Sequence, residues 1–129
     1  MYNKDFSSYK DLYLKVALEN IHILKTNLLM LGKNTHDPSI IENMHRAIHN
    51  LKTENALMKY TQLAELCAEL ENVFLRIKAH QLTLSETFFT LIRDASSHIE
   101  KSISHIKSGN KEINLSECIN HIKKYLKNI

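Results

Sequence analysis

Three side chains are spaced so that they could do chemistry together. His49, Lys52 and Glu71 lie within HRAIHNLKTENALMKYTQLAELCAELE, the stretch from His45 to Glu71, which reads as two helices joined by a tight connection. With the connection centred near Tyr60, His49 stands eleven residues before it and Glu71 eleven after it. At about 1.5 Å of rise per residue both lie roughly 16 Å from the turn, so antiparallel helices bring them level. Lys52 sits one turn beyond His49 on nearly the same face, because residues three apart are helix neighbours. A histidine facing a carboxylate, with a cation alongside, is suited to holding a phosphoryl group.

Around this hairpin the hydrophobic periodicity predicts an all-α chain. A first helix over Ser8–Leu31 carries Leu14, Ala17, Ile21, Leu24, Leu28 and Leu31 at alternating spacings of three and four, with Leu12, Val16, Leu18 and Ile23 widening the stripe toward a second neighbour. Gly32 suits a helix stop, GKNTHDPS a polar connection, and Asp37-Pro38 a helix start. The second helix, Pro38–Asn55, presents Ile41, Met44, Ile48 and Leu51 inward, beside a polar stripe of Glu42, His45, His49 and Lys52. The third, Met58–Ala79, presents Leu63, Leu66, Leu70, Phe74 and Ile77, flanked by Ala64, Ala68, Glu71 and Leu75. The two alanines would leave a shallow depression beside the carboxylate, open to a second protein.

Thr83-Leu84-Ser85-Glu86 has the capping-box pattern and opens a fourth helix with Phe88, Leu91, Ala95, Ile99, Ile103 and Ile106 inward, ended by Ser108-Gly109-Asn110. Asn114-Leu115-Ser116-Glu117 begins a short last helix that buries Leu115, Ile119, Ile122 and Leu126. The expected architecture is an up-down-up-down four-helix bundle with an additional short C-terminal helix, a single domain over residues 1–129.

Composition supports this and narrows the function. Two glycines and one proline in 129 residues argue against a turn-rich sheet protein. The net charge of +3 is too weak to imply nucleic acid, and Lys107, Lys111, Lys123, Lys124 and Lys127 read as a solvated basic face. Cys67 and Cys118 lack metal-ligand spacing and read as buried, reduced thiols. No apolar run reaches membrane-spanning length and the N-terminus has no signal-peptide core, so a cytoplasmic location is expected. His45 and His49, near Glu42, could share a metal on one helix face, but Arg46 stands where a zinc protease has glutamate and a third ligand is not evident. No metal or cofactor is therefore assigned to the chain. His22, His36, His80, His98, His105 and His121 share no spacing and read as ordinary polar residues.

The segment LLMLGKNTHDPSIIENMHRAIHNLK, Leu28 to Lys52, resembles the histidine-containing phosphotransfer (HPt) family, and within it the phosphotransfer domain of the chemotaxis histidine kinase. The signature of histidine, any residue, an aliphatic residue and lysine stands here as His49-Asn50-Leu51-Lys52, and the similarity runs on to Glu71. The resemblance implies that His49 is phosphorylated, that Lys52 offsets the phosphoryl charge and that Glu71 orients the imidazole. Phosphoryl transfer depends mainly on positioning and electrostatics, and a carboxylate accepting the Nδ1–H bond fixes the tautomer whose Nε2 attacks. No nucleotide-binding loop is present, so the chain is expected to be a phosphocarrier and not an ATP-using kinase. A histidine kinase catalytic domain and a receiver domain are the implied partners, with Mg²⁺ on the partner. His45, Thr53, Ala64 and Ala68 would face them.

The chain also departs from the family pattern. Thr53 and Lys59 stand where glycines are usual, and Glu54 and Asn55 replace small residues on the approach surface. This leaves a second function class, a non-phosphorylated helical adaptor that binds signalling partners.

Overall fold

The structure, a computed structural model, describes residues 2–34 and 36–128, with side chains from Ser8 onward. Thr35 of the expected polar connection lies outside the described residues, as do Met1 and Ile129. Among the described residues five helices follow one another: α1 (Tyr2–Lys33), α2 (Pro38–Leu57), α3 (Thr61–Lys78), α4 (Glu86–Gly109) and α5 (Ser116–Lys127). α1 packs on α2 and α4, α2 on α3, and α5 against α3 and α4, which closes four helices around one core and lays the fifth on its side. Among the described residues, no helix is long and apolar enough to cross a membrane.

The inward stripes read from the sequence form that core. Met44, Ile48, Leu51, Leu63, Leu66, Leu70, Phe74, Phe88 and Ile99 are fully buried, and Tyr13, Cys67, Val73 and Ile92 join them. Cys67 and Cys118 are both buried and free. The widened stripe of α1 behaves differently. Leu12, Leu18 and Ile23 stay exposed, because α2 and α4 cover only one side of the helix.

A polar seam sets the register of α1 against α2. Asn50 Nδ2 donates to Asn20 Oδ1 (3.3 Å) and Asn43 Nδ2 to Asn27 Oδ1 (3.3 Å), so the same seven-residue step recurs on both helices. Tyr13 continues the line, donating from its hydroxyl to Asn55 Oδ1 (2.5 Å), while Asn55 Nδ2 donates to the Leu51 carbonyl (2.7 Å). A one-residue slip would take these partners from the buried amides of Asn20, Asn27 and Asn55, so the seam specifies where on the bundle His49 is presented.

Helix ends are where the structure corrects the sequence reading. Gly32 lies inside α1 and Gly109 is the last residue of α4, and neither has positive φ. The left-handed positions fall instead on Lys59 (φ 64°), His80 (φ 60°) and Asn110 (φ 61°). At the end of α2 the Tyr60 N–H donates to the Asn55 carbonyl (2.9 Å) and the Lys59 N–H to Ala56 (3.1 Å), a Schellman closure with lysine in the glycine position. The hydrogen bonds of the closure hold the backbone there although a Cβ disfavours it. Lys59→Gly is therefore expected to stabilise the protein by about 1 kcal/mol, read as a higher urea midpoint. A lower midpoint would contradict this account of the turn.

Two further caps differ from expectation. Ser85, and not Thr83, caps α4, accepting from the Phe88 N–H (3.2 Å). Asn114 accepts from the Ser116 N–H (3.0 Å), which leaves Leu115 at the cap position of α5. Tyr60 offers α3 no side-chain cap. Glu112, from the α4–α5 connection, supplies one by accepting from the Leu63 N–H (2.9 Å), a carboxylate at the positive end of the helix.

Candidate functional site

The three-residue connection Met58–Tyr60 forces α2 and α3 antiparallel, so the register expected from the sequence is realised. His49 Nδ1 lies 2.8 Å from Glu71 Oε2. A carboxylate accepts only, so Nδ1 carries the proton and donates, and Nε2 keeps its lone pair. The His49 side chain is 54% exposed while that of Glu71 is 13% exposed: the imidazole stands at the surface on an anchored base. Lys52 Nζ donates to the other oxygen, Glu71 Oε1, within the same pocket.

His45 has a different place from the one the sequence assigns it. Its side chain is 15% exposed, and its Nε2–H donates to Glu71 Oε2 (3.0 Å). Its Nδ1 accepts from Lys78 Nζ (2.6 Å), and Lys78 also pairs with Glu42. The ring is turned inward onto the carboxylate with both nitrogens engaged, so it cannot be a free partner-facing group. The second imidazole on the carboxylate comes from α2, one turn before His49. Sequence reasoning missed Lys78, which lies seven residues beyond Glu71 and so on the same α3 face.

Glu71 is thus the hub of the site. Burial pushes its carboxyl up, but donation from Lys52, His49 and His45 outweighs burial and holds it down at about 2. It stays ionised wherever the protein is folded near neutrality, so His49 keeps one tautomer. Lys52 occupies Glu71 Oε1, and Lys78 occupies His45 Nδ1 and Glu42 Oε2.

The approach surface is less altered than the sequence implies. Thr53 is exposed, but its hydroxyl donates to the His49 carbonyl of its own helix (3.1 Å). Asn55 is fully buried in the α1–α2 seam, so it faces no partner. Glu54 is half-buried, its Oε2 without a hydrogen-bond partner among the described residues, and burial with Glu19 nearby raises its carboxyl. Ala64 and Ala68 lie half-buried on α3, two turns and one turn before Glu71.

A helical bundle presenting one surface imidazole on a buried carboxylate defines the class. The Hpt domain model matches residues 8–109, and the chain belongs to the Hpt domain family. It is 30% identical over 99 residues to the chemotaxis protein CheA of Listeria monocytogenes and 30% identical over 105 residues to that of Bacillus subtilis. These matches cover 77% and 81% of this chain but only 16% of either relative, so the chain spans a small part of the curated relatives it matches. Among solved structures, the CheA phosphotransferase domain of Thermotoga maritima superposes with a TM-score of 0.73 at 25% identity, covering 77% of this chain and 94% of that one. The phosphorylated P1 domain of CheA3 from R. sphaeroides, in complex with CheY6, gives a TM-score of 0.86 over 94% of this chain and 97% of that one; at 10% identity it shares the fold.

Proposed function

We propose that the chain is the phosphotransfer module of a two-component or phosphorelay system. It takes a phosphoryl group onto His49 from a histidine kinase catalytic domain and passes it to the aspartate of a response-regulator receiver domain. The observation that carries this reading is the His49–Glu71 bond, which leaves Nε2 unprotonated and open to solvent. The Nε2 lone pair attacks phosphorus as the bond to the donor oxygen breaks, and that oxygen leaves with its electrons. The imidazolium so formed is stabilised by Glu71, and Lys52 lies one turn away to offset the phosphoryl charge. In the second step a receiver carboxylate oxygen attacks, the N–P bond breaks and the pair returns to Nε2.

Mg²⁺ belongs to the partner domain in this scheme, since the ligands on this face are Lys-bound. Thr53, Ala64 and Ala68 border the approach to Nε2 and would meet either partner. Dependence on a donor made from ATP puts the chain in the cytoplasm. The CheA3 P1 domain, which shares this fold, is bound to CheY6, and that complex supports a receiver as the acceptor.

The test is labelling by a CheA-type kinase catalytic domain with ATP. Wild type should gain an acid-labile, alkali-stable phosphoryl group, and His49→Gln should gain none. Label that persists in His49→Gln would refute the reading, and a wild type that binds a receiver without ever being labelled would favour the adaptor.

A further inference from the structure

On the opposite side of the bundle α4 and α5 bring together three metal-ligating side chains that the phosphotransfer reading does not use. Asp94 and His98 are one turn apart on α4, and Cys118 lies in the first turn of α5; one donor atom from each lies within 4.8 Å of the others. They span the exposure range, with Asp94 exposed, His98 half-buried and Cys118 buried. We propose that Asp94, His98 and Cys118 form a three-ligand site for a borderline-soft divalent cation of the zinc type, clamping α5 to α4.

The donor set fits such an ion, which accepts thiolate, imidazole and carboxylate in tetrahedral geometry. His98 Nδ1 lies 2.8 Å from the Asp94 carbonyl, to which it donates, and 3.7 Å from Asp94 Oδ2, so Nε2 is the nitrogen with a lone pair to give and the ring must turn to present it. Ligands at about 2.0–2.3 Å from a tetrahedral ion lie roughly 3.5 Å apart, so closure asks for a movement of about 1 Å, within reach of the Asp94 and His98 side chains. The fourth position falls to water. Binding forms the S–metal bond and releases the Cys118 thiol proton to solvent. Sequence spacing concealed the site because its two halves are 20 residues apart, from His98 to Cys118.

The placement gives the site a purpose. The family match ends at residue 109, so α5 lies wholly beyond it. A cation shared with α4 would anchor this additional helix through its first turn. Since the ligands converge only in the folded chain, binding raises the stability of the native state.

The experiment is titration of the full, reduced, tag-free chain with Co²⁺. Wild type should bind one equivalent and develop the near-ultraviolet thiolate-to-metal charge-transfer band, and Zn²⁺ should displace it and raise the Tm. Cys118→Ser should lose the band, His98→Gln should lose the band and the Tm rise, and Asp94→Asn should bind at least tenfold more weakly. Cys67→Ala and His49→Gln should keep all three signals. If Cys118→Ser proves unfolded by circular dichroism, His98→Gln carries the test, since its ring is not part of the core. No band in wild type, a band surviving in folded Cys118→Ser or in His98→Gln, or a band lost in His49→Gln or in Cys67→Ala would each overturn the proposal.

Discussion

Glu71→Ala is expected to slow phosphorylation of His49 by about 100-fold while leaving the helical fold in place. The carboxylate fixes both the tautomer and the orientation of the His49 ring, and its side chain is held by three donors. Without it the exposed imidazole samples both tautomers and rotates freely, and Lys52 loses its partner. The effect should fall on the rate of labelling and not on the final extent, measured by quench-flow with the kinase catalytic domain. A rate unchanged within threefold would remove Glu71 from the mechanism. The same pair of proteins carries a pH signature. The Glu71 carboxyl sits at about 2 when folded against an ordinary 4.5, so it contributes stability that is fully present above pH 4.5 and is lost as the pH falls toward about 2. The stability difference between wild type and variant should narrow across that window.

Phe74→Ala is expected to cost about 3–5 kcal/mol of stability. Phe74 is fully buried on α3, three residues after Glu71, and its ring meets Phe88 of α4 edge to face with centroids 6.1 Å apart. Truncation leaves a cavity at the seam that fixes α3 against α4. The loss is a large share of the roughly 5–15 kcal/mol that holds a domain of this size together. Guanidinium unfolding would register it as a lower midpoint. A loss under about 1 kcal/mol would mean that the site collapses around the smaller side chain.

The bundle and the meeting of His49 with Glu71 could be read from the sequence because both rest on local periodicity. Apolar residues at helical spacing identify the faces, and a short connection converts equal distances from Tyr60 into contact. What the sequence concealed depends on tertiary geometry or on unusual backbone. Glycine is the usual marker of a left-handed helix end, yet the two glycines here are helical and Lys59, His80 and Asn110 take that conformation. The Asn20–Asn50 and Asn27–Asn43 pairs look like ordinary surface amides until α1 and α2 are docked. His45 shares a polar stripe with His49, and only the position of α3 decides that one ring turns inward and the other outward. Leu12, Leu18 and Ile23 carry the opposite lesson, since apolar character alone did not give them a neighbour.

The central claim is that Nδ1 of His49 is held by Glu71 so that Nε2 receives the phosphoryl group. Nitrogen-15 and phosphorus-31 NMR of the phosphorylated, histidine-labelled protein tests it most directly, since the N–P coupling identifies both the residue and the nitrogen. The expected result is phosphorus on His49 Nε2 with the Nδ1 proton retained. Phosphorus on His49 Nδ1, or on His45, would contradict it.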